Sequence, residues 1–313
     1  MRRARGVALI IALVVVALAT MMATRIGAQS ALDQRRGATL LAQEQGLLVA
    51  LGAETWAIEV LHDDAQHSTR DSLDEAWATP LPPIPIEDGT VEGQIEDLQG
   101  RFNLNNLIKP DGTKNQVMFD VFQRLLARLQ LEPKWASLMM DWIDADQIAD
   151  GIDGAEDGYY TGLTPPYRTA NRPITSTSEL LALPGFGPDR YRVLAPFVAA
   201  LPVGSAINVC TAAGELLDSL APGLSTFSQD PKQLALNRQK GCFPYLQDVR
   251  AAVDPLLQPA ERTVVDAALS ESTRWFRGTI VVSIGTTELT LYSLIERMPG
   301  GYSRVVLRTL GTE

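Results

Sequence analysis

The apolar stretch VALIIALVVVALATMMAT, residues 7–24, decides the fold of this 313-residue chain. Its 18 residues carry no charge, and three arginines precede it, at positions 2, 3 and 5. A helix of that length extends roughly 27 Å, which is close to the hydrocarbon thickness of a bilayer. The segment is therefore predicted to span a membrane.

Two interpretations of this segment compete, a cleaved secretory signal and a retained anchor. A secretory signal needs a small-x-small cleavage site, and Ile26-Gly27-Ala28 fits that rule poorly. A retained anchor keeps its basic end in the cytoplasm, because Arg25 is the single arginine close behind the apolar run. Both interpretations place the chain from about residue 28 onward outside the cytoplasm.

The composition fits such a location. A net charge of −10 argues against bulk binding to nucleic acid or to an anionic membrane surface. The two cysteines, Cys210 and Cys242, are too few for a disulfide scaffold and lack metal-ligand spacing. In an oxidising compartment they are expected to form one disulfide bond, whereas two buried free thiols would require a cytosolic location.

The rest of the chain alternates between helical and strand patterns. Apolar residues recur in helical steps without proline to about Leu61, which predicts one helix from Val7 to that point. The stretch TPLPPIPIEDG, residues 79–89, is too proline-rich for a helix and is predicted to be a linker. Strand patterns follow around Val91, Ile95 and Phe102, and helical periodicity runs from about residue 115 to 269.

Three further strand patterns, GTIVVSIG, TELTLYSLIER and YSRVVLRTL, end the chain. Strands at both ends with helices between them predict an α+β fold: a long N-terminal helix, a small antiparallel sheet and a large inserted α-domain. The sheet is needed to bury the apolar face of the long helix.

The helical block contains LPGFG, residues 183–187, between two short helical patterns, which resembles a helix-hairpin-helix. A second unit is predicted to open with Thr211 as a helix N-cap. Backbone N–H groups of such a loop can hold a DNA phosphate, so a membrane-anchored DNA receptor is the alternative function. Its basic residues are only Arg190 and Arg192, beside Asp189, in an acidic block. We therefore favour a SAM-like domain that presents a protein-binding surface, with no nucleic acid partner.

The acidic stretch DWIDADQIADGIDGAEDGYY, residues 141–160, is the main chemical feature. Its carboxylates and glycines, with no nearby His or Cys, favour Ca²⁺ over zinc or copper, although the spacing fails the EF-hand rule. A solvated acidic loop is the alternative. For Asp141, next to Trp142, a capping or solvent-facing role is expected at least as much as a ligand role. Histidines 62 and 67 have no nucleophile nearby, and the chain is predicted not to be an enzyme.

The sequence resembles the type IV pilin-like proteins, and among them the K-type minor pseudopilins of type II secretion. The start RRARG/VALIIALVVVALAT is similar to a prepilin leader followed by its apolar helix. Five interior motifs resemble the K family: GRFNLNNL, DWIDAD, GAEDGYY, PPYRTANRPITSTSELLALPGF and INVCTAAGELL. The resemblance covers nearly the whole chain.

The resemblance implies that a prepilin peptidase cuts between Gly6 and Val7 and methylates the new N-terminus. It implies a single-pass inner-membrane protein whose bulk is periplasmic. Its expected partners are the I- and J-type minor pseudopilins, other pseudopilins and the inner-membrane assembly platform. The expected boundaries are 1–6 for the leader, 7–62 for the transmembrane and stalk helix, 63–108 for the linker and first strands, 109–270 for the inserted α-domain, and 271–313 for the last strands.

The resemblance also implies a place at the pseudopilus tip, where assembly starts and export of folded exoproteins is supported. Most pilins carry glutamate at the fifth mature position, but Ile11 stands there. A subunit without that carboxylate is poorly suited to adding beneath another, since an unpaired N-terminal charge is costly within lipid. The K family is understood to bind calcium, and the expected ligands here are Glu156, Asp157, Asp144, Asp146 and Asn171, completed by backbone carbonyls.

Overall fold

A computed structural model describes residues 3–311 and the side chains of residues 7–311. Gly6 of the predicted cleavage site therefore lies outside the described side chains, and Met1, Arg2, Thr312 and Glu313 lie outside the described residues. The first helix, α1, runs from Arg3 to His67. It ends five residues beyond the predicted boundary at residue 62.

Further helices and strands follow α1 along the chain. The helices are α2 Gln116–Arg128, α3 Lys134–Ile143, α4 Asp157–Tyr160, α5 Gly187–Leu194, α6 Gly214–Ser219, α7 Pro231–Arg238, α8 Leu246–Val253 and α9 Pro259–Ala267. The strands are β1 Leu81–Ile86, β2 Gly89–Asp97, β3 Phe102–Asn103, β4 Val198–Ala199, β5 Ile207–Asn208, β6 Leu269–Ser270, β7 Trp275–Ile284, β8 Thr287–Arg297 and β9 Ser303–Leu310.

Strands from both ends of the chain form one antiparallel sheet, in the order β1-β2-β7-β8-β9. Strand β2 pairs with β7 over its whole length, from Gly89 opposite Ile284 to Asp97 opposite Phe276. Because these two strands are separated by the helical block, their pairing closes the sheet around an insertion. The α+β prediction is therefore confirmed.

The proline-rich stretch is the edge strand of the sheet, and its prediction as a linker was wrong. Strand β1 contains Pro82, Pro83 and Pro85, and it pairs with β2 with a register shift between Leu81 and Ile84. Proline lacks the N–H that an inner strand must donate, so an edge is the position where a sheet tolerates it. The same prolines leave the outer side of β1 with few donors for another strand.

Helix α1 packs its second half across β7 and β8. Ala50, Ala57 and Leu61 are buried there. The buried carboxylate of Glu54 lies on the same face, where it accepts hydrogen bonds from Ser293 and from Arg308, whose Nη2 is 2.7 Å away. Four large apolar side chains of this half, Leu40, Leu41, Leu48 and Trp56, are exposed. The helix therefore has a second, uncovered apolar surface.

The turn between β8 and β9 contacts α1 and requires glycine. Gly301 has φ +85°, and a Cβ at this position would lie 3.1 Å from the Cβ of Ala65 and 2.9 Å from Nε2 of Gln66. Its neighbour Gly300 has φ +94°, but a Cβ there would meet nothing closer than 3.9 Å. Both turn glycines are thus favoured by backbone conformation, and Gly301 also by close approach.

Exchange of Gly301 for alanine is expected to lower the free energy of unfolding by about 2–4 kcal/mol, since left-handed strain and a clash with α1 add together. The matched change Gly300→Ala is expected to cost about 1–2 kcal/mol, from strain alone. Thermal unfolding of the two variants in detergent measures the difference. Equal losses would show that the turn does not press on α1.

The inserted segment forms its own core, in which the largest side chains are aromatic or long. Phe102 and Phe122 stack with ring centroids 5.2 Å apart, and Trp135 meets Phe186 edge to face at 5.1 Å. Phe102, predicted to belong to the sheet, instead lies in β3, which pairs in parallel with β4. Its burial against Phe122 explains the difference, because the ring belongs to the core of the insertion.

In the second predicted hairpin unit, which begins near Thr211, the helix cap differs from the prediction and the disulfide bond agrees with it. Ala213, rather than Thr211, precedes α6. The hydroxyl of Thr211 donates to Asp97 Oδ2 at 2.6 Å, so it bonds to the sheet instead of capping a helix. Cys210 and Cys242 form the predicted disulfide bond.

Candidate functional site

The acidic loop connects the end of α3 to the start of α4. Asp144 follows the last residue of α3 in extended conformation, and Glu156 stands immediately before α4. Helix α3 is buried on all sides from Trp135 to Ile143. Both loop ends are therefore attached to the core of the insertion, which brings residues 144 and 156 close together.

Three of the predicted ligands converge at this point. One carboxylate oxygen from each of Asp144, Asp146 and Glu156 lies within 4.8 Å of the others. Asp144 and Glu156 are buried, 7% and 8% exposed, whereas Asp146 faces solvent. Asp144 Oδ1 and both carboxylate oxygens of Glu156 are buried and accept no hydrogen bond from the described residues. Buried acceptors without donors are costly unless a cation or another donor meets them.

The cost of burying these charges also raises the pKa values of the two buried carboxyls. Burial, reinforced by the neighbouring carboxylates of Asp146 and Asp141, raises the pKa of Asp144 to about 7. Burial also raises the pKa of Glu156 to about 7, with Asp141 and Asp144 adding to the effect. A hard divalent cation would compensate the charges that burial and repulsion disfavour. The three carboxylates thus fit Ca²⁺, which takes oxygen ligands from side chains, carbonyls and water.

A second group of contacts, made by Asp141 and Asp150, fixes the acidic loop to the core of the insertion. Asp141 is fully buried, and its Oδ1 accepts the backbone N–H of Asp150 at 2.9 Å. The Asp150 carboxylate pairs with Lys114 Nζ at 2.7 Å. A Cβ on Gly154 would lie 2.3 Å from Asp141 Oδ2, so glycine is required there. The solvent-facing role expected for Asp141 is therefore wrong: its side chain fastens the loop, and burial raises its pKa to about 6.

The other two predicted ligands lie in a hydrogen-bond network around Thr169. Asp157 Oδ1 accepts the Thr169 N–H at 3.1 Å and its hydroxyl at 2.9 Å. The Thr169 hydroxyl also lies 2.7 Å from Asn171 Oδ1, and the Asn171 N–H donates to Trp142 O at 3.0 Å. The sequence analysis missed Thr169, although it stands two residues before Asn171 in the motif RTAN. Asp157 and Asn171 thus hold the segment after α4 against α3.

The LPGFG hairpin packs inside the insertion. Phe186 is buried against Trp135, and Arg190 Nη1 donates to the carbonyls of Gly185 and Phe186, each at 3.0 Å. Arg192 pairs with Asp189 at 2.7 Å. The two arginines of the hairpin are thus bonded within the chain, which favours the packing role over phosphate binding.

The apolar part of α1 is the remaining candidate feature. Among the described helices, α1 from Val7 onward is long and apolar enough to cross a bilayer, and its apolar window is not buried anywhere in the fold. No acidic residue stands between Val7 and Thr24.

Comparison with known proteins decides the family. Residues 100–203 match the family model described as type II secretion system (T2SS), protein K. The type II secretion system protein K of Pseudomonas aeruginosa is 36% identical over 99% of this chain and 94% of its own length. The protein of the same name from Aeromonas hydrophila is 31% identical over 95% of this chain and 94% of its own length. This chain belongs to the type II secretion system protein K family.

The family makes the chain a minor pseudopilin of type II secretion, a structural component of a secretion machine. The fold is similar to a chain of the crystal structure of the GspK-GspI-GspJ complex from the enterotoxigenic Escherichia coli type 2 secretion system. That match has a TM-score of 0.76 and 24% identity, and it covers 89% of this chain and all of the other. The residues matched by the family model, 100–203, include the acidic loop.

Proposed function

We propose that this minor pseudopilin starts pseudopilus assembly at the filament tip, together with the I- and J-type minor pseudopilins. In this role it supports the export of folded exoproteins across the outer membrane. The observation that carries the proposal is a single long helix, apolar and uncovered along much of its length, bearing a large inserted domain at its far end. We propose no catalytic activity for it.

The N-terminal helix supplies the assembly part of the proposal. A helix of 65 residues is roughly 98 Å long, so its first third can lie in the inner membrane while the rest stands in the periplasm. In the proposed mature chain, which begins at Val7 after cleavage and methylation by prepilin peptidase, Ile11 takes the fifth position. Without a carboxylate there, the subunit cannot offset the N-terminal charge of a neighbour above it. A first position in the filament removes that requirement.

The periplasmic half of α1 supplies a surface for partners. Leu48 and Trp56 are 70% and 52% exposed, and Trp56 borders a groove that it shares with Leu81 of β1 and Ile95 of β2. Exposed apolar side chains repeated along one helix are typical of a protein interface. We propose that helices of the I- and J-type subunits pack here, and that the assembly platform receives the resulting complex.

The size of the inserted domain supports the proposed position at the filament tip. Its core extends from Phe102 to Leu269, between two strands of the sheet. A domain of that size projecting beside α1 would collide with a subunit stacked above it in a helical filament. We further propose that this domain binds Ca²⁺ through Asp144, Asp146 and Glu156, with Asp157 and Asn171 in the adjoining network. The cation holds the acidic loop by neutralising its buried carboxylates.

Co-purification tests the assembly proposal. The full chain, tagged and expressed with the I- and J-type minor pseudopilins of the same bacterium, is expected to retain both in detergent. The double variant Leu48→Arg, Trp56→Arg is expected to lose both partner subunits, because two charges would enter the apolar interface. The matched control, Leu181→Arg, changes an exposed leucine of the inserted domain. Retention by the Leu48 and Trp56 variant would contradict the proposed surface.

A pH titration tests the state of the acidic loop. Asp144 and Glu156 have folded pKa values near 7, above the ordinary values of unfolded carboxyls, so the fold binds more protons than the unfolded chain between about pH 4 and 7. Without calcium, stability is therefore expected to fall as pH rises through that window. Calcium is expected to cancel most of the loss at pH 8 and little at pH 5, where protons compete for the same oxygens.

Melting temperatures across pH 5–8, in chelator and in millimolar calcium, provide the measurement. The expected curves diverge with rising pH. Parallel curves would contradict a cation site at these carboxylates.

A further inference from the structure

Helix α7 is held to the protein by one buried side chain. The seven residues from Pro231 to Asn237 are exposed or half-buried, and Arg238, at the end of the helix, is 6% exposed. An eight-residue helix without a buried apolar face gains little stability from hydrophobic packing against the rest of the protein. Its attachment therefore depends on Arg238 and on the disulfide bond at Cys242, four residues further on.

The guanidinium of Arg238 bridges the two segments that carry the cysteines. On the Cys210 side, Nη2 donates to Val209 O at 3.1 Å and to Ala212 O at 2.6 Å, and Nη1 donates to Thr211 O at 3.3 Å. On the Cys242 side, Nε donates to Phe243 O at 2.7 Å. The carbonyls thus come from residues on both sides of Cys210 and from the residue after Cys242.

The charge of Arg238 has no carboxylate partner within the described part of the chain. Its acceptors are backbone carbonyls, and burial lowers its pKa to about 10. A buried cation costs free energy that an apolar side chain of the same size would not. What the guanidinium provides in return is geometry: a planar fork of donors that fixes several carbonyls at once.

The Cys210 segment is anchored independently of Arg238. The side chain of Asn208 accepts the Cys210 N–H at 3.0 Å and donates to Asp97 Oδ2 at 2.8 Å, on β2 of the sheet. It also donates to Asp71 O, at 2.8 Å. Cys210 is therefore fixed to the sheet. Cys242 lies between α7 and α8, and the chain after it is also anchored, because the Leu246 N–H donates to Glu271 Oε1 at 2.8 Å. The Arg238 guanidinium is the group that joins Phe243, next to Cys242, directly to carbonyls on both sides of Cys210.

We propose that Arg238 is a positioning residue for oxidation of the cysteine pair, holding Cys242 against Cys210 before the disulfide bond exists. The thiolate of one cysteine attacks a small external disulfide and releases one thiol. The other cysteine then attacks the mixed disulfide, closing the Cys210–Cys242 bond and releasing the second thiol. The two cysteines lose two electrons and two protons, and the external disulfide is reduced to two thiols.

The thiol–disulfide equilibrium of the full chain tests this role. The protein in detergent is equilibrated with reduced and oxidised glutathione, and the oxidised fraction is read by alkylation and mass spectrometry. Arg238→Lys keeps a positive charge but loses the fork. It is expected to lower the equilibrium constant for closing the bond by about tenfold or more. Lys232→Gln, at an exposed site on the same helix, is expected to leave the constant unchanged.

A second measurement keeps Arg238 intact. With Cys210→Ser and Cys242→Ser together, hydrogen exchange at the amides of residues 234–238 is expected to stay within about tenfold of the disulfide-bonded protein. Loss of that protection in the serine pair would overturn the proposal, because the disulfide bond alone would then be holding α7. A lower melting temperature in Arg238→Lys with an unchanged glutathione constant would also overturn it, since the arginine would be merely structural.

Discussion

Replacement of Asp144 by asparagine and Glu156 by glutamine is expected to abolish stabilisation by calcium and to raise stability in chelator. The wild-type cluster holds three carboxylates within 4.8 Å, with two of its side chains buried and three buried oxygens unpaired. Neutral amides remove the repulsion and the cost of burying charge, so the variant gains stability when no cation is present. They also remove the charge that binds the cation.

The size of the calcium effect follows from mass action. Calcium at a hundredfold excess over its dissociation constant stabilises the folded chain by about 2.7 kcal/mol. Melting temperatures of both proteins with and without calcium should therefore cross: the variant is more stable in chelator and the wild type more stable in calcium. Asp153→Asn, an exposed change in the same loop, serves as the control and should respond like the wild type. An equal calcium shift in the double variant would place the cation elsewhere.

Replacement of Arg297 by methionine is expected to cost about 3–5 kcal/mol of stability at pH 8. This arginine, on β8, pairs through Nη1 with Asp71 Oδ1 at 2.6 Å and through Nη2 with Asp64 Oδ2 at 2.8 Å. Its guanidinium also lies 4.7 Å from the ring centroid of Phe276. Methionine keeps the packing on the ring but leaves two carboxylates without their cation.

The cost of losing Arg297 should depend on pH. Burial raises the pKa of Asp64 to about 6, with Glu75 adding to the shift. At pH 5 that carboxyl is already largely protonated, so the expected loss is smaller than at pH 8. Arg304→Met is the control: Arg304 is 64% exposed, and its buried partner Glu296 keeps a second cation, Arg274, when Arg304 is removed, so a much smaller loss is expected. Similar losses in both variants, or a loss independent of pH, would contradict this account of the cluster.

The sequence predicts the long helix and the sheet because their signals are local. An uncharged run of 18 residues and alternating strand patterns at the C-terminus require no knowledge of what lies opposite. The sequence does not predict which face of α1 is buried, because four large apolar side chains are exposed while Glu54 is buried. Which face meets the sheet depends on Arg308 and Ser293, more than 200 residues away, and periodicity alone cannot reveal that pairing.

The same distinction applies to the site. Carboxylate types and spacing predict a cation near residue 150, and the structure brings the carboxylates of Asp144, Asp146 and Glu156 close together. The roles of Asp141 and Thr169 depend on how the loop returns to α3, which the spacing does not encode. The proline-rich edge strand was missed for a related reason: proline excludes helix strongly, but it excludes a strand only where both sides must bond.

The N-terminus of the protein recovered from native membranes tests the central claim most directly, through mass spectrometry with and without prepilin peptidase. The account predicts an N-methylated Val7 when the peptidase is present and an unprocessed leader when it is absent. An intact Met1 in both cases, or a mature start near Ala28, would contradict the proposal that this chain enters the pseudopilus as a processed, membrane-held subunit.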